Sequence, residues 1–276
     1  MGKATEGYLV QREILDSGSK IPNEEGELIA KRDAVSDSRI RYYALVSGGK
    51  DSMSLAHYLS SKGLLRGCIF IDTGIAATGL REWIEKIPYP VEIYPTPIRY
   101  EWFVWKYGFP RYAGHNWAFN YLKGRALREV RKKHEGEGGF VLASGVRKFE
   151  SARRFKNAQA VSELEGMECR APLLEWSTPE IWEYVRKHDI GISPCYQNLH
   201  YSGDCFCGSF AHPGEKTMLK IFYPEIWERI RRLEEQVSGT WGNVNLPTKR
   251  DTEQLPLTCF ECGVAALNTV QPEAPD

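Results

Sequence analysis

YALVSGGKDSMSLAHYL, residues 43–59, contains the change of period that decides the fold. Tyr43 to Val46 is an apolar, β-prone run, whereas Leu55, Ala56, Tyr58 and Leu59 recur at the spacing of one helix face. Ser47 to Ser52 is therefore the turn from a strand into a helix. The first amides of a helix have no acceptor within it, and the helix dipole adds partial positive charge at the same end, so such a turn holds anions. Gly48 and Gly49 let the backbone approach a phosphate and take positive φ where needed, Ser47 and Ser52 add hydroxyls, and Lys50 adds a cation. The bland alternative is an ordinary glycine-rich turn, but Ser-Gly-Gly-Lys-Asp-Ser brings all these donors together in strand–turn–helix context. Neither Gly-x-x-x-x-Gly-Lys-Ser/Thr nor Gly-x-Gly-x-x-Gly after a strand occurs. The loop is a phosphate cradle of another kind.

Outward from this turn the pattern alternates: strand YYALVS, helix near 51–62, strand CIFIDTG, helix near 79–86, strand VEIYPT, helices near 98–107 and 116–134, then strand FVLASG. Alternating elements predict an α/β fold, a doubly wound and mostly parallel sheet with right-handed crossovers. Ligands of such sheets sit beyond the carboxyl ends of the strands, where the strand order switches. The turns SGGKDS, DTG and SGVR all follow strands, so all three can meet one ligand. Asp72, Thr73 and Gly74 offer a carboxylate and a hydroxyl to a nucleotide or its Mg²⁺, or else cap the next helix. The expected organisation is an N-terminal extension over 1–39, a nucleotide-binding domain over 40–190 and a cysteine-rich region over 191–276 that ends in a disordered tail.

The 276 residues are 42% hydrophobic and 26% charged, enough for one sizeable domain plus a smaller unit. No apolar run approaches the roughly 20 residues of a membrane span, and the N-terminus has no signal core, so the expected location is cytoplasmic, with no membrane partner. The formal net charge is zero, which excludes a global field for nucleic acid, yet basic residues cluster in KGRALREVRKK (123–133) and RKFESARRFK (147–156).

Ser47 to Ser52 resembles the signature Ser-Gly-Gly-x-Asp-Ser of the ATP pyrophosphatases with a PP-loop, which bind ATP there and split it between the α and β phosphates. FIDTG with GLREWI, YGFPRYAGHNWAFNYLKGRAL (107–127) and ASGVRKFESARR (143–154) are similar to the branch that contains the reductases of 3′-phosphoadenylyl sulfate (PAPS) and adenylyl sulfate (APS). In the last of these, Gly145, Arg147 and Ser151 match an arginine-bearing loop. The resemblance runs through about residues 41–262 and implies ATP and Mg²⁺ as ligands. It places Lys50 and the amides of Ser47 to Gly49 on the pyrophosphate, Asp51 or Asp72 on Mg²⁺ and Arg147 on the nucleotide. Two departures limit it. Trp117-Ala118-Phe119 stands where assimilatory APS reductases carry a tandem cysteine pair, and Glu261-Cys262-Gly263 continues with Val264 and Ala265 instead of reaching a histidine.

Of seven cysteines, Cys68 lies in an apolar strand and Cys169 stands apart, and both are expected to be buried thiols. The others form Cys195-x9-Cys205-x-Cys207 and Cys259-x-x-Cys262, a grouping that favours metal or redox chemistry over structural disulfides. Thiolate-only ligation serves both an iron–sulfur cluster and structural Zn²⁺, and the resemblance tips the choice to a 4Fe-4S cluster. Five candidates for four positions leave one cysteine that could carry sulfur. His115, His200 and His212 lack the spacing of a histidine site, although the last two flank the cysteines.

The aromatic residues of YEWFVWKYGF are read as packing a helix on the sheet rather than stacking on bases. TPEIWEYVRKHD (178–189) is a docking helix with a Thr cap and Ile181, Trp182 and Val185 on one face, and EKTMLKIFYPEIWERIRRLEEQV is helical and broken at Pro224. Taken with the resemblance, these features imply an ATP pyrophosphatase that adenylylates an acceptor and passes sulfur to it. The DNA phosphorothioation enzymes combine these parts best, and tRNA-thiolating enzymes come next. The implied partners are a cysteine desulfurase or other sulfur donor and a nucleic-acid acceptor, with the oligomeric state left open. Thioredoxin-dependent PAPS or APS reduction and a non-catalytic nucleotide-binding subunit are the rival readings.

Overall fold

The computed structural model describes residues 40–212 and 214–242 and the short strands Thr258–Cys259 and Val264–Ala265. The N-terminal extension and the polar tail fall outside the described residues, as does Cys262. Six strands, β1 (Arg41–Leu45), β2 (Leu65–Asp72), β3 (Val91–Pro95), β4 (Phe140–Ala143), β5 (Val161–Leu164) and β6 (Met167–Arg170), form one sheet in the order β3-β2-β1-β4-β6-β5. Every pair is parallel except β5 with β6. The order grows from β1 through β2 to β3 on one side and restarts with β4 on the other. The switch point is thus between β1 and β4, at the exits that carry SGGKDS and SGVR, with DTG one strand away.

Alternate residues of the central strands enter opposite faces, as the pleat requires. Tyr42, Ala44, Cys68 and Phe70 belong to one core and Tyr43, Ile69 and Ile71 to the other. Both faces are covered, which is why β2 reads as a continuous apolar run rather than an alternating one. Ala126, Leu127 and Val130 of a helix over Arg125–His134 cover the second face. The helices on the first face begin with α1 (Lys50–Ser61), α2 (Leu80–Ile84) and α3 (Tyr100–Tyr107).

The single helix expected over 116–134 is three pieces: α4 (His115–Phe119), a π-helical turn (Asn120–Gly124) and α5 (Arg125–His134). Gly124 sits where an added Cβ would lie 2.6 Å from Glu165 Oε1, so the wide turn also passes close to the β5–β6 hairpin. Tyr100, Phe103 and Val104 pack α3 on the sheet as expected, but Trp102 is 40% and Trp105 57% exposed.

A short helix α6 (Ala152–Asn157) follows SGVR, and α7 (Thr178–Lys187) docks through Ile181 and Val185. Its cap is one residue earlier than expected. Ser177 Oγ accepts from the Glu180 amide and the Glu180 carboxylate accepts from the Ser177 amide, a full capping box that frees Thr178 for another partner. Helices α8 (Pro194–Leu199), α9 (Glu215–Phe222) and α10 (Pro224–Gln236) complete the described chain, with Pro224 opening α10 where its missing N–H costs nothing. Leu199, Phe206, Leu219, Tyr223, Ile230 and Trp241 join the core of Tyr42 and Phe70, so the described part of 191–276 shares its core with 40–190. No helix among the described residues is long and apolar enough to cross a membrane.

Candidate active site

The loop after β1 is pinned by its own hydroxyls. The Ser47 amide donates to Ser52 Oγ at 3.1 Å, Ser52 Oγ donates to Gly49 O at 3.1 Å, and the two serine hydroxyls lie 3.2 Å apart. The first helical bond runs from the Met53 amide to Gly49 O at 3.0 Å, so the amides ahead of it have no acceptor within α1. Gly48 takes φ +82°, whereas Gly49 caps the helix at φ −84° and needs no special freedom. Gly49 is small for another reason: a Cβ there would come within 3.3 Å of Ser202 Cβ. Lys50 is 6% exposed, its Nζ 5.4 Å from the ring centroid of Tyr196 and 6.0 Å from that of Trp182.

SGVR meets this loop directly. A Cβ on Gly145 would stand 2.9 Å from the Asp51 carbonyl carbon and 3.1 Å from the Ser52 amide, so only glycine lets the two backbones touch. Arg147, which the resemblance places on the nucleotide, is 1% exposed and engaged by the protein. Its Nε donates to Asp51 Oδ1 at 2.6 Å, its Nη1 to Trp176 O at 3.0 Å, and Nη1 and Nη2 to Thr178 Oγ1 at 3.3 and 3.4 Å. In this arrangement Arg147 braces Asp51 against α7. Ser151 caps α6 by accepting from the Arg154 amide.

The carboxylates expected on Mg²⁺ do not fit that ion as they stand. Asp51 lies between Arg147 and Lys50 Nζ, the latter at 3.3 Å. Asp72 accepts from the Gly74 amide at 2.9 Å and pairs with Arg81 Nη1 at 3.1 Å. Thr73 is fully buried and donates to Asp204 O at 2.9 Å. Beside these residues, at the ends of β2 and β3, an open cavity of about 360 Å³ is lined by Asp72, Gly74, Thr96, Ile98, Glu101 and Arg229 among others.

The segment 193–209 lies across the exits of β1 and β2. The Ser193 amide donates to Gly48 O, the Ala77 amide to Gly203 O and the Phe206 amide to Ile75 O, at 2.9, 2.8 and 2.7 Å. Lys123 from the π turn pairs with Asp204 at 2.5 Å, and Tyr100 Oη donates to Cys207 O at 2.9 Å. Burial opposes both charges of the Lys123–Asp204 pair, yet their attraction prevails: the ammonium is held above and the carboxyl below its ordinary range. Cys207 Sγ donates to Ser209 Oγ at 3.4 Å. The neighbouring thiols also bias each other: with Ser209 and Lys123 the interaction lowers the Cys207 thiol against its burial, and together with burial it raises Cys205.

Two soft donors side by side fit half of a thiolate metal site, with Cys259 and Cys262 as the candidates to close it. Cys195 stands on another element. It is buried in α8 beside Tyr223, and among the described residues no three Cys, His, Asp or Glu side chains converge as a metal set. Chain spacing had grouped it with Cys205 and Cys207, but α8 ends at Leu199 and the chain turns at His200, φ +60°, before the pair. Cys68 and Cys169 are buried, as expected, and burial pushes Cys68 up to about 12.

Ser193, Ser202, Asp204 and Lys123 were not singled out from the sequence. Ser193-Pro194 carries a helix-start signal, and Ser193 Oγ does accept from the Cys195 amide, but nothing local tells that its own amide docks on Gly48.

A family model described as the phosphoadenosine phosphosulfate reductase domain matches residues 41–209. An uncharacterized protein of Methanocaldococcus jannaschii is 25% identical over 193 residues, 66% of this chain and 39% of that protein, so the chain spans about two fifths of its relative's length. Among solved structures, a PAPS reductase of Candida auris in a phosphate complex is 16% identical with a TM-score of 0.44, over 63% of this chain and 84% of that one. A U34-tRNA thiolase of Methanococcus maripaludis with its 4Fe-4S cluster is 13% identical with a TM-score of 0.42, over 76% and 78%. An FMN adenylyltransferase of Candida glabrata is 15% identical with a TM-score of 0.40, over 69% and 60%.

Proposed function

The chain belongs to the phosphoadenosine phosphosulfate reductase domain family, and from that premise we propose that it activates an acceptor with ATP, releasing pyrophosphate, and delivers sulfur to the activated position. One observation carries the reading. The segment bearing Cys205 and Cys207 also meets the phosphate loop, where the Ser193 amide donates to Gly48 O and Ser202 stands against Gly49, which supports a thiol pair working beside an anion cradle.

In this reading the triphosphate enters at the N-terminus of α1 and the nucleoside occupies the cavity at the ends of β2 and β3. An acceptor oxygen attacks the α phosphorus, the α–β bridge breaks and pyrophosphate leaves. The α1 amides and Lys50 stabilise the charge that develops on it. Lys50 is aimed by the rings of Tyr196 and Trp182 and by Asp51, which Arg147 holds in turn. Sulfur at the sulfide level then attacks the adenylylated atom and AMP departs with the oxygen, with no net change of oxidation state. Cys205 and Cys207, with Cys259 and Cys262, would hold the cluster. A bound iron–sulfur cluster supplies a place to keep sulfur in reduced form. The sulfur donor is a cysteine desulfurase or an equivalent, whose persulfide is brought to the sulfide level by a thiol reductant that leaves as a disulfide. The acceptor class is nucleic acid, as in DNA phosphorothioation or tRNA thiolation.

Sulfonucleotide reduction is the second reading, favoured by the description of the matching family. The intact Ser47–Ser52 loop weighs against it, because a cradle for pyrophosphate has no counterpart in PAPS or APS. Pyrophosphate release separates the two. Purified protein with ATP, sulfide and nucleic acid should form AMP and pyrophosphate, and Lys50→Ala should slow that at least tenfold, since one charge-assisted contact contributes about 1.5–3 kcal/mol. Reduction of PAPS to sulfite with no pyrophosphate from ATP would install the second reading. ATP binding without turnover under every condition would make the chain a nucleotide-binding subunit.

A further inference from the structure

Helix α3, α4 and the π turn carry a ladder of rings that the core does not use up. Trp102 stands against Tyr107 with ring centroids 5.9 Å apart, Tyr107 against Trp117 at 4.2 Å, and Trp117 against Tyr121 at 5.4 Å. Buried Phe103 is the floor, 5.0 Å from Trp117 and 5.6 Å from Tyr121. Trp102 and Trp117 remain 40% and 39% exposed. Tryptophans held rigidly by neighbouring rings while a face stays open suit a flat ligand, because the entropy of ordering them has already been lost on folding.

Cations stand over the same rings. Lys106 Nζ lies 4.9 Å from the Trp102 centroid and 5.3 Å from that of Tyr107, and the Arg125 guanidinium lies 4.5 Å from Tyr121. Of the nine Lys and Arg between Arg99 and Lys133, Lys123, Arg128, Lys132 and Lys133 pair with Asp204, Glu165, Glu129 and Glu92, while Lys106 and Arg125 stand over the rings. Alternating rings and cations match a polymer that alternates flat bases and phosphates. A second copy of this chain fits poorly, since a twofold contact would set these cations against their own images.

We propose that the Trp102–Tyr107–Trp117–Tyr121 ladder, with Lys106 and Arg125, binds single-stranded nucleic acid by stacking on unpaired bases. The ladder leads to the thiols: Lys123, two residues beyond Tyr121 in the same π turn, holds Asp204 beside Cys205. π turns of this kind recur at functional sites. The proposal rests on the reading above only for what happens next, since a base stacked on Trp117 and Tyr121 places its strand beside the segment that would supply sulfur.

The test needs no ATP. Fluorescence anisotropy of labelled dT and U 12-mers is measured against the full chain, with a duplex of equal length as comparison. Both strands, or one of the two, should bind more tightly than the duplex. Trp102→Ala and Trp117→Ala should each weaken binding roughly 5- to 100-fold, and Trp102→Phe should restore most of it. Trp105→Ala is the control, because that indole faces α10 through Gln236 Oε1 at 2.7 Å and should change binding less than about twofold. Lys106→Ala with Arg125→Ala should flatten the salt dependence. Duplex bound as tightly as single strand, indifference to Trp102→Ala and Trp117→Ala in folded protein, or a dimer that Trp102→Ala dissolves would each overturn the proposal. Binding in the absence of ATP stands even if pyrophosphate release is never found, and its absence leaves the ATP reading intact.

Discussion

Replacing Arg147 by Met tests whether its guanidinium serves the protein or the nucleotide. The side chain is 1% exposed and meets Asp51, Trp176 and Thr178, with an ion pair at 2.6 Å and three longer bonds from the guanidinium to uncharged acceptors. A bond from an ionised donor contributes about 1.5–3 kcal/mol at good geometry. Removing one partner of a buried pair costs about 3–5 kcal/mol, because the other charge stays buried. Asp51 keeps Lys50 at 3.3 Å and 19% of its side chain in solvent, which puts the loss near the lower end, about 3 kcal/mol. With a urea m-value of about 2–3 kcal/mol/M, the unfolding midpoint should fall by roughly 1–1.5 M. Arg147→Lys keeps the charge but not the fork and should cost about 1–2 kcal/mol. Unfolding followed by circular dichroism, beside ATP binding on the same samples, reads both roles. An unshifted midpoint together with abolished ATP binding would refute the brace and return Arg147 to the nucleotide.

Gly145→Ala should destabilise by about 1–3 kcal/mol and slow pyrophosphate release at least tenfold, because its Cβ would overlap the Asp51–Ser52 backbone; wild-type melting and turnover would mean that the loops do not touch. Anaerobically purified protein should contain iron and sulfide, and Cys205→Ser or Cys207→Ser should lose both while Cys195→Ser keeps them, as elemental and sulfide analysis will report. Zinc in their place would retain the thiol site and remove the cluster. Burial pushes the Glu101 carboxyl up, but hydrogen bonds from Arg229 outweigh it and leave it below its ordinary value. That contribution to stability is complete above the unfolded value of about 4.3 and is lost as pH falls through the folded one. Arg229→Met should therefore flatten the loss of stability between about pH 5 and pH 3 in urea titrations.

Periodicity was sufficient for β1 to β4 and the helices between them, but not for the β5–β6 hairpin or the π turn that interrupts 116–134. The switch from period two to helical spacing at Ser47 located the loop, and the alternation that followed implied the parallel sheet, because strand and helix patterns depend on neighbours a few residues apart. Gly145 was legible as part of a motif, though its reason, a backbone contact with Asp51, was not. Partners of long polar side chains were beyond reach. Arg147 finds Asp51 across 96 positions and Lys123 finds Asp204 across 81, pairings fixed by which strand ends lie side by side. Cys195 shows the same limit from the other side, for its chain spacing allied it with Cys205 and Cys207 and α8 carried it into the core. Trp102 reads as a packing residue from its place in YEWFVWKYGF, yet exposure depends on what packs above a residue, and that is decided only when the helices meet.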